Sequence, residues 1–109
     1  MNFGRNTVRA DIGTMKREVE EGKAQIVDVR EPGEWEAGHL EVAINAPLSE
    51  LSSEKVPTGL DKTSKLYLHC AAGLRTAPAK KELEKMGFSD VVALKDGYED
   101  LVRAGFESV

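Results

Sequence analysis

Short apolar runs rich in β-branched residues alternate along this chain with segments of helical spacing, and that alternation constrains the fold more than any other feature. The runs cover 25–29, 42–45, 65–69 and 91–94. Helical spacing appears over 14–21, over a short stretch 32–37 that opens on Pro32, and over 48–53, 76–86 and 98–104. Strands alternating with helices predict an α/β domain with a mainly parallel sheet. In such sheets ligands bind outside the carboxyl ends of the strands. The places to search are therefore where a strand runs into a loop and then a helix.

The 109 residues suffice for one domain, and no repeat, low-complexity tract or linker divides them. We therefore read 1–109 as a single unit. Fifteen basic and nineteen acidic residues give a formal charge of -4 without charge runs, so no basic patch marks a nucleic-acid site. No stretch approaches the ~20 apolar residues of a membrane span. The opening segment lacks the apolar core and small-residue cleavage site of a secretory signal, so the expected location is cytoplasmic. A single cysteine excludes an internal disulfide and a cysteine-based zinc site. That cysteine is either a small buried hydrophobe or a reactive thiol.

Cys70 ends the run 65–69, and a helix is predicted to begin near Thr76. Between them lie Ala71, Ala72, Gly73, Leu74 and Arg75. These are mostly small residues, and Gly73 is free to take backbone angles denied to others. Such a loop can curl its N–H groups toward one atom, with unpaired donors of the helix N-terminus behind it. Arg75 adds a permanent cation and a fork of donors. All three effects favour the thiolate and predict a Cys70 pKa below the free-thiol value of ~8.5. Pro78 falls in the first helical turn, where its missing N–H has no intrahelical acceptor.

These residues, with others along the chain, resemble the single-domain rhodaneses, a sulfurtransferase family. The stretch Val27-Asp28-Val29-Arg30-Glu31-Pro32, then Glu34-Trp35 and Gly38-His39-Leu40, is similar to that family's amino-terminal signature. Ala43-Ile44-Asn45-Ala46-Pro47-Leu48 is similar to the block that follows, Cys70-Ala71-Ala72-Gly73-Leu74-Arg75 to its active loop, and Gly87-Phe88 to the turn after the active-site helix. The short chain and simple loop look most like small stand-alone members of the phage shock protein E type. The resemblance implies a rhodanese-like α/β fold with a mostly parallel five-stranded sheet flanked by helices. It also implies ping-pong transfer of sulfane sulfur through a persulfide on Cys70, with no metal or organic cofactor. The partners implied are a small anionic donor, thiosulfate or a persulfide, and a thiol, cyanide or protein-cysteine acceptor. The backbone of Ala71 to Arg75 would stabilise the persulfide anion, and Arg75 would position the donor. Two departures stand out. Asp96-Gly97 replaces a Gly-Gly pair, which Asp should accommodate because it tolerates left-handed backbone angles. Leu101 stands where the last helix often carries Trp, a change of packing rather than chemistry.

Other polar residues carry plainer expectations. Asp28 ends the first strand and is expected to accept hydrogen bonds from loop backbone. Arg30 is a candidate for substrate binding, though pairing with Glu31 or Glu34 is the plainer reading. His39 is expected to make a structural hydrogen bond, since persulfide chemistry does not demand a base. Strand alternation turns His69 away from Cys70. Trp35 reads as core packing. Lys80, Lys81, Glu82, Glu84 and Lys85 form a solvated helix face. Two other functions compete. Phosphatases and arsenate reductases of the rhodanese-like fold also use Cys and Arg on an anion cradle. Their loops hold one more residue than the four, Ala71 to Leu74, that separate Cys70 from Arg75 here. A non-catalytic binding or sulfur-relay module is the other, although such members often lack the cysteine.

Overall fold

The computed structural model describes residues 7–109; residues 1–6, part of the segment read as lacking a signal sequence and of the 1–109 unit, lie outside the described residues. Five helices and four strands alternate: α1 (Ile12–Glu20), β1 (Ala24–Asp28), α2 (Pro32–Ala37), β2 (Ala43–Asn45), α3 (Leu48–Leu51), β3 (Lys65–His69), α4 (Thr76–Lys85), β4 (Val91–Ala93) and α5 (Tyr98–Arg103). The first helix starts two residues before the predicted 14–21. Asp11 provides its N-cap, its carboxylate accepting the Thr14 N–H at 3.2 Å.

The strands form one parallel sheet in the order β2-β1-β3-β4. Among the described residues the expected fifth strand is a single bridge. Val8 pairs in parallel with Leu94, through Val8 N–H to Ala93 O at 3.0 Å and Lys95 N–H to Val8 O at 2.7 Å. Two residues later the Ala10 N–H turns to the Asp96 carboxylate at 2.7 Å and the chain enters α1, which stops the pairing there. Among the described residues the sheet therefore has four strands, not five.

Both faces of the sheet are covered, and alternation along the strands sorts the core into two layers. Val27, Val29, Leu66, Leu68 and Cys70 pack with Leu51 of α3 and with Ala79 and Leu83 of α4. Ala24, Ile26 and Tyr67 pack on the other face with Met15 of α1 and Leu101 of α5. Leu101 is fully buried and fills that second layer. Among the described residues, no helix is long and apolar enough to cross a membrane. Truncating Leu101 to Ala should lower unfolding stability by about 2–5 kcal/mol through lost contacts and a cavity, read from urea denaturation midpoints.

Candidate active site at the Cys70 loop

β1 and β3 are adjacent and in register, Asp28 opposite His69, so the loops that leave their carboxyl ends lie side by side. The Cys70 side chain is fully buried and belongs to the α3–α4 layer of the core, next to Ala79. Its sulfur is nonetheless an acceptor. The Gly73 N–H reaches Sγ at 3.1 Å and the Arg75 N–H at 3.4 Å. Among the described residues, no such bond to Sγ is made by Ala71, Ala72 or Leu74. The loop thus folds back over its own cysteine and directs two backbone dipoles at one atom. The two fates weighed for this residue coexist: it packs in the core, and it receives hydrogen bonds suited to an anion.

Close approaches hold the loop in this curl. Gly73 has φ +78°, and a Cβ there would stand 2.7 Å from the Lys95 carbonyl oxygen. Gly97 has an ordinary extended backbone, but a Cβ on it would overlap the Ala71 carbonyl. The Tyr98 N–H donates to the Cys70 carbonyl at 2.9 Å, and the Thr76 hydroxyl donates to Leu94 O at 3.0 Å. The segment 94–98 therefore forms a wall against which the loop is moulded. Asp96, at the Gly-Gly position, takes no left-handed angle; its carboxylate instead accepts the Ala10 N–H. Asp96 therefore fits here without the left-handed conformation expected of it.

Arg75 is not a free cation. Its guanidinium meets Glu34 of α2 in a two-point pair, Nη1 to Oε1 at 2.6 Å and Nη2 to Oε2 at 3.0 Å. The pair holds the Glu34 carboxyl down at about 2 and raises the Arg75 pKa. Glu34 also accepts the Glu31 N–H at 3.0 Å, which fixes it on the first turn of α2. Sequence reasoning missed this residue as part of the site. The signal present was its place three residues after Glu31, the spacing of a capping box.

Arg30 pairs with neither Glu31 nor Glu34. It forms a buried two-point pair with Asp28, Nε to Oδ1 at 3.0 Å and Nη2 to Oδ2 at 2.8 Å. Its Nη2 also donates to Gly38 O at 2.8 Å, and its guanidinium lies 4.3 Å from the centre of the Tyr98 ring. Asp28 accepts a backbone N–H from Arg30 at 2.9 Å, in the turn that follows β1. His39 donates from Nδ1 to the Trp35 carbonyl at 2.8 Å, and the two rings stack with centroids 3.5 Å apart. Trp35 is half-buried and belongs to neither core layer, which corrects its reading as core packing.

His69 faces away from Cys70, into the layer that holds Asp28, Arg30 and Tyr98. Its Nδ1–H donates to the Cys70 carbonyl at 3.2 Å. Its Nε2 is buried without a hydrogen-bond partner, 3.8 Å from the nearer Asp28 oxygen. Burial lowers the His69 pKa, against the pull of the Asp28 carboxylate, and nearby Arg30 lowers it further.

The profile of the rhodanese-like domain family matches residues 11–104. The chain belongs to this family. The YqhL protein of Bacillus subtilis, whose function is uncharacterised, is 42% identical over 77 residues, 71% of this chain and 60% of that protein. The thiosulfate sulfurtransferase PspE of Escherichia coli is 36% identical over 66 residues, 60% of this chain and 62% of that protein. The chain thus spans about three fifths of the length of these two relatives. Among solved structures, the rhodanese-like domain of the Alr3790 protein from Anabaena sp. superposes with a TM-score of 0.75 at 26% identity, over 93% of this chain and 77% of that one. The rhodanese-like α/β architecture is therefore shared, and sulfurtransferases, PspE one of them, are among the relatives.

Two predictions test this geometry. Gly97→Ala should push the Ala71 carbonyl away and disorder the loop, seen as loss of protection of the Gly73 and Arg75 amides in hydrogen exchange. His69 should also make stability pH-dependent. Its folded pKa lies below the ordinary 6.5, so as pH falls through 6.5 the unfolded chain takes up a proton that the folded one refuses. His69 therefore favours the folded state fully above that value and progressively less below it. Wild-type stability should drop more steeply between about pH 7 and 5 than that of His69→Gln. Equal slopes would show that His69 does not carry the effect.

Proposed function

We propose that the protein is a sulfurtransferase that moves sulfane sulfur from thiosulfate or a related donor to a thiophilic acceptor through a persulfide on Cys70. The observation that carries this reading is the pair of backbone N–H groups on Cys70 Sγ, built into the active-loop position of a rhodanese-like domain. Those dipoles stabilise negative charge on sulfur, in the thiolate that attacks and in the persulfide that results. With thiosulfate, the Cys70 thiolate attacks the outer sulfur. A new S–S bond forms as the old one breaks, and its electron pair departs on sulfite. The acceptor nucleophile then attacks the outer sulfur of the persulfide, and the electron pair returns to Cys70 as thiolate. Charge is conserved in both steps, and neither asks for a base, a metal or a second cysteine.

Asp28 and Arg30 act at a distance in this reading. Their buried pair shapes the turn after β1 and so the site's flank, while His39 braces α2. The cycle starts from a free thiol, which suits the reducing cytoplasm. PspE, a thiosulfate sulfurtransferase, is the relative whose named activity this reading extends to the present chain. The four-residue spacing between Cys70 and Arg75 favours sulfur over the larger tetrahedral oxyanion of a phosphatase.

Intact-protein mass spectrometry after thiosulfate exposure tests the proposal. Wild-type protein should gain one sulfur atom, removable by dithiothreitol or by cyanide, and Cys70→Ser should gain none. If wild-type protein never gains it, or the variant gains it equally, the reading fails.

A further inference from the structure

We propose that Glu34 sets donor specificity, its two-point pair with Arg75 turning the Cys70 site away from dianionic thiosulfate and toward the persulfide of an organic thiol. The inference rests on the sulfurtransferase reading above and deepens it. Between Cys70 and Arg75 the loop side chains are Ala71, Ala72 and Leu74, none of them charged, and Leu74 is 79% exposed. Arg75 is then the loop's one cation, and both ends of its guanidinium fork are taken by the two Glu34 oxygens. The pair is a third exposed, so an anion can reach it, but only by displacing a carboxylate that is already well placed.

The two donor classes feel this arrangement differently. Thiosulfate carries two negative charges within two bonds of the sulfur to be transferred, so both must enter beside the neutralised pair. An organic persulfide carries its transferable sulfur on the sulfur of an alkyl thiol, with at most one charge there and any other farther out on the tail. A mostly apolar groove of about 210 Å³ flanks the same loop, lined by Ala72, Gly73, Leu74, Ala77 and Pro78, with Thr7 and Lys95 alongside. The exposed loop face and this groove suit an alkyl tail, and Lys95 suits a carboxylate at its end. The transfer balances without a redox partner. The Cys70 thiolate attacks the outer sulfur of RS–SH, the new S–S bond forms as the RS–S bond breaks, and the electron pair leaves on RS⁻. The proton stays on the transferred sulfur or passes to solvent. Glu34 touches neither donor in this scheme; it acts through Arg75, as a positioning residue.

The test compares thiosulfate with glutathione persulfide as donors to one acceptor, cyanide. Glu34→Gln keeps the shape of the side chain and removes the charge that neutralises Arg75. Its KM for thiosulfate should fall about fivefold, the size expected for unmasking one charge beside a partly exposed dianion. The kcat/KM ratio of thiosulfate over glutathione persulfide should rise by a similar factor. Adding Arg75→Gln to Glu34→Gln should abolish that gain, which loosening of α2 would not do. A second measurement needs no variant. The wild-type KM for thiosulfate should hold or fall with added salt, because the pair is neutral and the chain's formal charge is -4. An unchanged donor ratio in Glu34→Gln, or a wild-type KM that climbs steeply with salt, overturns the inference while leaving the persulfide reading intact. Failure of wild-type Cys70 to load from either donor overturns both.

Discussion

The parallel pairing of β1 with β3 is the contact on which the site depends. It sets Asp28 opposite His69, so the turn after β1 and the loop after β3 leave the sheet at the same level and side by side. Both strands are buried on both faces, and a one-residue slip would exchange their two core layers, so the hydrophobic pattern locks the register. The Val29 N–H donates to the His69 carbonyl at 3.0 Å and extends the ladder to the point where the chains diverge. Everything chemically distinctive lies within a few residues of that divergence.

Charge is distributed there as two separate arginine–carboxylate pairs. One, Arg30 with Asp28, is buried under the turn, where each ion would be costly alone and where Arg30 is further held by Gly38 O and the Tyr98 ring. The other, Arg75 with Glu34, ties the Cys70 loop to α2 and stays partly open to solvent. The partition gives the pairs different exposure. The first is almost fully buried. The second is the more open, and the Arg75 side chain also interacts with Cys70, beside the two backbone N–H groups of the loop.

Legibility in the sequence followed the range of the forces involved. Periodicity and small-residue turns are local, and they placed the four strand runs, the helices and the Cys70 loop to within a few residues. The fifth strand came only from family resemblance, and among the described residues it is one bridge, beyond which the Ala10–Asp96 hydrogen bond, across 86 positions, turns the chain into α1. The arginine partners were misassigned for a related reason. Arg30 has three acidic residues within four positions, and spacing alone cannot choose among them. Asp28 wins because its end of β1 is buried and an unpaired carboxylate there would be expensive. Glu34 is then left for Arg75, a contact 41 residues away that only the β1–β3 register creates. Core packing of Trp35 fails because α2, six residues long with no buried side chain, offers it the His39 ring instead.

The burial of Cys70 looks at first like an argument against reactivity, since a thiol in an apolar layer behaves as a small hydrophobe. Environment on one side of an atom does not decide the other. Ala79 and the strand neighbours supply the apolar side, and the Gly73 and Arg75 amides supply the polar one. Apolar packing excludes water from the sulfur, which strengthens the pull of both amide dipoles on any charge it carries. The 109 residues contain no other thiol. Within these residues a sulfur atom loaded on Cys70 would meet no second cysteine to resolve it, which suits the proposed transfer to another molecule better than dithiol redox chemistry.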